Sequence, residues 1–398
     1  MKGKRRHDFI YRMACALIRR SFARKFNFKY SVIENLQAPY IVISNHVTNW
    51  DPILIGLSFS RCMYYVATDQ IFRMGWKTRL LMFMFSPIAK SKTAQETQTI
   101  ITIFRRLKEK CNICIFVEGM TSFDGETGEF HTATAKLVKR AGVTLVTYRF
   151  TGSYLTFPRW ARFIHKGKME GRLVRVYSPE EIASMSEDEL FLEIKKDIYV
   201  NAYDDQEKNQ YKYIGKNPAE YLETVLYCCP KCREFGTLKS ACDILACKCG
   251  FRVRYNEFGY FELPQSDEPP PFRTILDWAR WQITEINAIA DAKNGFDETD
   301  PVFTDENQEL IRIEKTYKST LIAKGKLCLY RDRLSISTEA GETTEFPFSE
   351  IIDMSGFARM TIIFCTTDNR IFEIHSKHPR SALKYLDMFK AIKAIVKE

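Results

Sequence analysis

No stretch of this chain holds the roughly 18 to 20 consecutive apolar residues that a spanning helix requires, which argues against a helical membrane span anywhere in its 398 residues. The nearest candidate, Leu80-Leu81-Met82-Phe83-Met84-Phe85, is far too short. It reads either as core or as a segment dipping into an interface beside the functional site. A secretory leader is not expected either, because arginines interrupt the early apolar residues and no clear cleavage site follows. A reducing, cytoplasmic compartment is therefore expected, and the twelve cysteines are not expected to pair as disulfides. Acid does not dominate either: the net charge is +10, which points to an anionic partner, nucleic acid or membrane surface. With 45% apolar and 27% charged residues, the composition is that of a globular protein with ample core, and the length suggests two or three domains.

Tyr40-Ile41-Val42-Ile43-Ser44 reads as a buried strand, and Asp51-Pro52 before Ile53-Leu54-Ile55-Gly56-Leu57 reads as an N-cap with proline at the first helical position. Between them lies Asn45-His46-Val47-Thr48-Asn49-Trp50. Across such a turn the Asp51 carboxylate can reach the His46 imidazole, fix its tautomer and stabilise its charged form, as a general base requires. The plainer alternative is that Asp51 only caps the helix. A second strand-like run, Ile113-Cys114-Ile115-Phe116-Val117, ends in Glu118-Gly119-Met120-Thr121-Ser122, again polar groups beyond a strand, where open α/β sheets bind ligands.

The Asn-His-x4-Asp turn and the Phe-x-Glu-Gly-x-x-Ser turn, in this order and about seventy residues apart, resemble the lysophospholipid acyltransferase family, which includes the 1-acylglycerol-3-phosphate acyltransferases. The resemblance extends over about residues 1 to 215, with Ala141-Gly142-Val143-Thr144-Leu145-Val146 matching the last core strand. It implies an α/β core, a central sheet flanked by helices. It also implies transfer of a fatty acyl group from acyl-CoA or acyl carrier protein to a lysophospholipid hydroxyl, 1-acylglycerol-3-phosphate in the first instance. His46 would be the base and Asp51 its orienting partner. Backbone N–H groups at the helix start after Asp51 or around Gly119 are the candidate oxyanion donors. Asn45, Glu118, Gly119, Thr121 and Ser122 would shape the acceptor site. Glu118 would either bind an acceptor hydroxyl or order the turn.

The chain departs from the family where the acceptor's phosphate is bound. Thr121 stands where the commoner motif has arginine, and Ser86-Pro87-Ile88-Ala89-Lys90 ends in lysine rather than arginine. Lys90 and Lys92, with Arg149 as a further candidate, would supply charge without the bidentate fork. Another lipid alcohol, such as a glycolipid, is thereby an alternative acceptor.

Residues 1–30 place Lys2, Lys4, Arg5, Arg6, Arg12, Arg19, Arg20, Arg24 and Lys25 around Phe9, Ile10, Met13, Ala14, Leu17, Ile18 and Phe22 at helical spacing. A basic amphipathic helix of this kind is expected to lie at an anionic membrane surface, giving a peripheral protein on the cytoplasmic face; the alternative is a helix packed on the sheet with a solvated basic face.

Six cysteines fall within 22 residues. Cys229-x2-Cys232, fourteen intervening residues and Cys247-x-Cys249-Gly250 resemble a zinc ribbon. Cys228 or Cys242 could replace a ligand, because the second pair has one residue between its cysteines. Four thiolates leave zinc no open position, so its role would be structural.

Pro264 to Pro271 reads as a linker and Trp278 to Ala292 as a helix. Short strand-like runs and a closing helix from about Arg380 to Val396 resemble a pleckstrin-homology or GRAM-like barrel. The expected order is a basic segment (1–30), an acyltransferase domain (31–215), a zinc ribbon (216–263), a linker and helix (264–299) and a β-rich, barrel-like domain with a C-terminal helix (300–398). The rival class is a non-catalytic lipid- or nucleic-acid-binding adaptor. Nucleic acid is disfavoured because the charge gathers at the N-terminus and the ribbon offers little stacking surface beyond Phe251 and Tyr255.

Overall fold

The computed structural model describes residues 2–68, 87–90, 96–291, 300–314 and 318–395. The Leu80–Phe85 run and Lys92 lie outside them. The chain divides into two units, Met1–Arg159 with Ile164–Gly215, and Trp160–Phe163 with Lys216–Glu398. Among the described residues no helix is long and apolar enough to cross a membrane.

The first unit is a mixed α/β layer structure. Its strands are β1 (Phe28–Tyr30), β2 (Tyr40–Ser44), β3 (Met63–Thr68), β4 (Ile88–Lys90), β5 (Asn112–Phe116), β6 (Thr144–Thr151) and β7 (Met169–Tyr177), in the order β1-β7-β6-β2-β5-β3-β4. Its helices are α1 (Lys2–Phe26), α2 (Asp51–Leu57), α3 (Glu96–Lys108), α4 (Ala133–Ala141), α5 (Ser153–Thr156), α6 (Pro179–Ser184), α7 (Glu187–Ile198) and α8 (Ala202–Asn209). All five residues of β2 are buried, as a parallel strand covered on both faces demands. Ser44 is in register with Phe116 of β5 on one side and Tyr148 of β6 on the other. The loops leaving β2 and β5 therefore emerge side by side.

One sequence expectation changes here. The sheet does not end at β6: antiparallel β7 and then β1 extend it. Arg172 and Arg175 interrupt the apolar alternation of β7, so its period is weak in the sequence. Past β7 the chain forms the three helices α6, α7 and α8, because side-chain caps restart it. Ser178 accepts from Glu181 N, Ser186 and Glu189 form a reciprocal capping box, and the Asn201 side chain accepts from Tyr203 N.

The second unit begins with an antiparallel sheet of β8 (Leu238–Ala241), β9 (Ile244–Cys247), β10 (Arg252–Tyr255) and β11 (Phe261–Glu262). Helix α9 (Ile275–Asp291) starts three residues before the expected Trp278, since Thr274 Oγ1 accepts from Asp277 N at 3.0 Å and closes the first turn. The β-rich region follows with β12 (Phe303–Ile313), β13 (Ser319–Leu329), β14 (Arg333–Thr338), β15 (Thr343–Pro347), β16 (Ile351–Phe357), β17 (Thr361–Thr366) and β18 (Ile371–Ser376), then α10 (Leu383–Ile395). These strands form one antiparallel sheet, β15-β14-β13-β12-β18-β17-β16. Among the described residues β15 and β16 are the two ends of this strand order. Gln282 of α9, fully buried, accepts from Tyr227 N and Cys228 N at 2.6 and 3.0 Å and donates to Val225 O at 3.2 Å. This side chain satisfies the amides of Tyr227 and Cys228 and the carbonyl of Val225.

Candidate active site and metal centre

The loop after β2 is organised by one carboxylate. Asp51 is fully buried, and its Oδ2 accepts from Val47 N at 2.6 Å and Thr48 N at 2.9 Å while lying 3.0 Å from His46 Nδ1. Its Oδ1 accepts from Thr48 Oγ1 at 2.7 Å. Asp51 is therefore not the N-cap but the first residue of α2, with Trp50 in the cap position. Its carboxylate turns back to the loop instead of forward to the helix. Oδ2 already accepts two amides, and the tautomer that suits it carries the proton on Nδ1 and presents Nε2 as the bare, basic nitrogen. The ring stacks on Phe116 at 4.4 Å between centroids.

Glu118 joins this loop to the one after β5. Its Oε1 accepts from His46 N and its Oε2 from Gly128 N, both at 2.6 Å. Burial pushes its carboxyl up to about 8, against the pull of those two amides, and the negative charges of Asp51 and Asp124 add to the rise. A further strap is Ser122 N donating to His46 O at 3.0 Å. Gly119 holds φ +75, a conformation that side chains rarely adopt.

Several predicted ligand residues turn out to build the loops. Asn45, 1% exposed, donates to Phe150 O and accepts from Phe150 N at 3.1 and 2.8 Å, clamping the end of β2 to β6. Ser122 Oγ donates to Glu126 O and accepts from Gly125 N, at 2.8 and 2.9 Å. Lys90 ends β4, its side chain outside the description. Arg149 is drawn away: its guanidinium donates to the carbonyls of Asp197 and Lys196 at 2.6 and 2.9 Å, at the C-terminal end of α7.

The cation at the Glu118–Ser122 turn is one that sequence reasoning missed. Arg159 donates to Thr121 Oγ1 at 3.2 Å and lies 4.1 Å over the Phe123 ring. Burial lowers its guanidinium to about 10, which still leaves it charged at neutral pH. It stands beside the threonine that replaces the motif arginine, but 38 residues further along the chain, a separation no local motif reports.

The α2 amides are largely committed. Trp50 N donates to Thr48 Oγ1, Asp51 N to Thr48 O, and Ile53 N and Leu54 N to Trp50 O.

In the second unit, the sulfur atoms of Cys229, Cys232, Cys247 and Cys249 all lie within 4.8 Å of one another. The Cys229–Cys249 and Cys232–Cys247 pairs are each 3.7 Å apart. Metal–sulfur bonds of about 2.3 Å make tetrahedral edges of about 3.8 Å, whereas a disulfide needs about 2.05 Å. The donor set fits a tetrahedral thiophilic ion. The short second pair closes because Gly250 takes φ +88, letting Gly250 N reach Cys247 O at 3.1 Å. Thr237 Oγ1 lies 3.2 Å and Cys249 N 3.5 Å from Cys247 Sγ, within reach to donate to a metal-bound thiolate. Cys228, whose Sγ donates to Arg233 O, and the exposed Cys242 stand outside the cluster.

Residues 27–151 match the family model described as Acyltransferase. Among solved structures, the chain is similar to the 1-acyl-sn-glycerophosphate (LPA) acyltransferase PlsC from Thermotoga maritima, at 17% identity and a TM-score of 0.39, over 47% of this chain and 76% of that one. It is also similar to a chain of the 8S snRNP assembly intermediate, at 14% identity and a TM-score of 0.21, over 26% of this chain and 88% of that one. A third likeness is to the C-terminal domain of an unknown protein from Leishmania infantum, at 16% identity and a TM-score of 0.16, over 25% and 82%. No curated protein sequence matches the chain.

Proposed function

We propose that this protein transfers a fatty acyl group from acyl-CoA or acyl carrier protein to the free hydroxyl of a lysophospholipid, 1-acylglycerol-3-phosphate being the leading acceptor. The observation that carries the reading is the His46–Asp51 pair at the C-terminal end of β2, inside the segment that matches the Acyltransferase model. His46 Nε2 takes the hydroxyl proton as the acceptor oxygen attacks the thioester carbonyl. The tetrahedral intermediate is stabilised from the turn at Gly119. It then collapses to the ester, and the departing thiolate takes the proton from the imidazolium. Asp51 holds the ring and balances its transient charge, while Glu118 and Asn45 keep the loop in place. Arg159 supplies the cation for the acceptor's anionic head group.

Zinc is the assigned ion at the four cysteines. It holds the cysteine-rich sheet together and takes no part in transfer, since four thiolates fill its coordination. The protein sits peripherally on the cytoplasmic face of an anionic membrane, a reading supported by the cations of α1.

The test is transfer of labelled acyl groups from both donors to a panel of lysophospholipids and glycolipids in mixed micelles, comparing wild type with His46→Ala. Turnover that the substitution abolishes supports the reading, and the preferred panel member identifies the acceptor. A folded wild type inert with every donor and acceptor sinks it in favour of a lipid-binding adaptor.

A further inference from the structure

Helix α1 presents two opposite faces. Tyr11, Cys15 and Phe26 are buried in the core of the first unit, and Ile18 and Phe22 pack against it. At 100° per residue the other side carries Phe9, Met13 and Leu17, which are 64, 50 and 77% exposed. The same stripe continues into exposed Arg20 and Arg24, with exposed Arg12 at its border. The structure thus divides the apolar residues expected on one membrane-facing side, turning Ile18 and Phe22 inward. Three large apolar side chains in line with cations match an anionic membrane surface, which takes apolar groups at the acyl boundary and cations among its head groups.

The last turn of α1 ends on the catalytic loop. The Trp50 indole lies 5.5 Å from the Phe22 ring and 6.0 Å from the Phe26 ring, with Lys25 Nζ 4.5 Å above it. Trp50 is the residue before Asp51, and its carbonyl accepts the first amides of α2, from Ile53 and Leu54. We infer that α1 is a coupling element: an anionic membrane seated on its Phe9/Met13/Leu17 stripe steadies, through Phe22, Lys25 and Phe26, the Trp50 indole and hence the His46–Asp51 loop. Trp50 is a positioning residue. This inference rests on the acyltransferase reading for its kinetic consequence but not for its structural one.

The experiment uses the full chain with vesicles of phosphatidylglycerol or of phosphatidylcholine, following sedimentation, amide hydrogen exchange of the 46–57 segment, and transfer to vesicle-borne and to short-chain, monomeric acceptors. Phosphatidylglycerol vesicles are expected to bind the protein and slow exchange in 46–57, whereas phosphatidylcholine vesicles do neither. Replacing Phe9, Met13 and Leu17 together by serine abolishes both effects and leaves turnover of the monomeric acceptor unchanged. Trp50→Ala still sediments but loses the exchange protection, and its kcat falls roughly 10- to 100-fold on both acceptors with KM little changed, the cost of a misplaced base. Trp50→Phe restores both. Vesicle binding without slower exchange in 46–57, or full kcat in Trp50→Ala, overturns the coupling. If every form is inactive while binding still protects 46–57, the acyltransferase reading fails and the coupling stands.

Discussion

Asp51 Oδ2 lies 3.0 Å from His46 Nδ1 and accepts the backbone amides of Val47 and Thr48 as well. One atom therefore sets the imidazole tautomer and the shape of the loop that carries it. These two roles separate under substitution.

Asp51→Asn keeps an oxygen for the loop amides but turns an NH2 donor toward Nδ1, which forces the ring into the wrong tautomer. Turnover should fall roughly 10⁴-fold with the chain still folded. Labelled acyl transfer alongside circular dichroism checks both halves, and a variant retaining more than a tenth of the activity would remove Asp51 from the mechanism.

Glu118 binds its proton more tightly in the folded protein, where burial raises it to about 8, than at its ordinary value of 4.5. Its contribution to stability is fully present below pH 4.5 and is lost as pH rises through about 8. Denaturant midpoints measured from pH 4.5 to 8.5 should fall more steeply in wild type than in Glu118→Gln. The glutamine, which can accept only one of the two amides, lowers stability at pH 5 by roughly 1 to 3 kcal/mol.

The tetrahedral spacing of Cys229, Cys232, Cys247 and Cys249 predicts one zinc per chain by elemental analysis. Cys247→Ser should lose it and Cys242→Ser keep it. Chelation should open the cysteine-rich sheet, read as rapid amide exchange in residues 228–255. A metal-free purified chain with slow exchange there would count against the assignment.

Arg159→Ala should raise KM for an anionic acceptor by roughly tenfold or more, the worth of a charge-assisted hydrogen bond, with kcat nearly unchanged. Arg159→Lys keeps the charge and loses the planar contact with Phe123, so it recovers only part. Equal effects on an uncharged acceptor would show that Arg159 merely braces Thr121.

What the sequence by itself determined is local. The buried run before Asn45, the spacing from His46 to Asp51, the second polar turn at Glu118 and the paired cysteines are short-range patterns. Strand periodicity, turn chemistry and ligand spacing act over a few residues, so each was legible without coordinates. Tertiary structure decided the partners. It bound Asn45 to Phe150 and Arg149 to the end of α7, brought Arg159 to Thr121, extended the sheet through β7, and turned Phe22 of α1 inward onto Trp50 while leaving Leu17 outside. Contacts between residues far apart in the chain depend on how whole elements pack, and amphipathic spacing does not say which of a helix's apolar residues will meet the core.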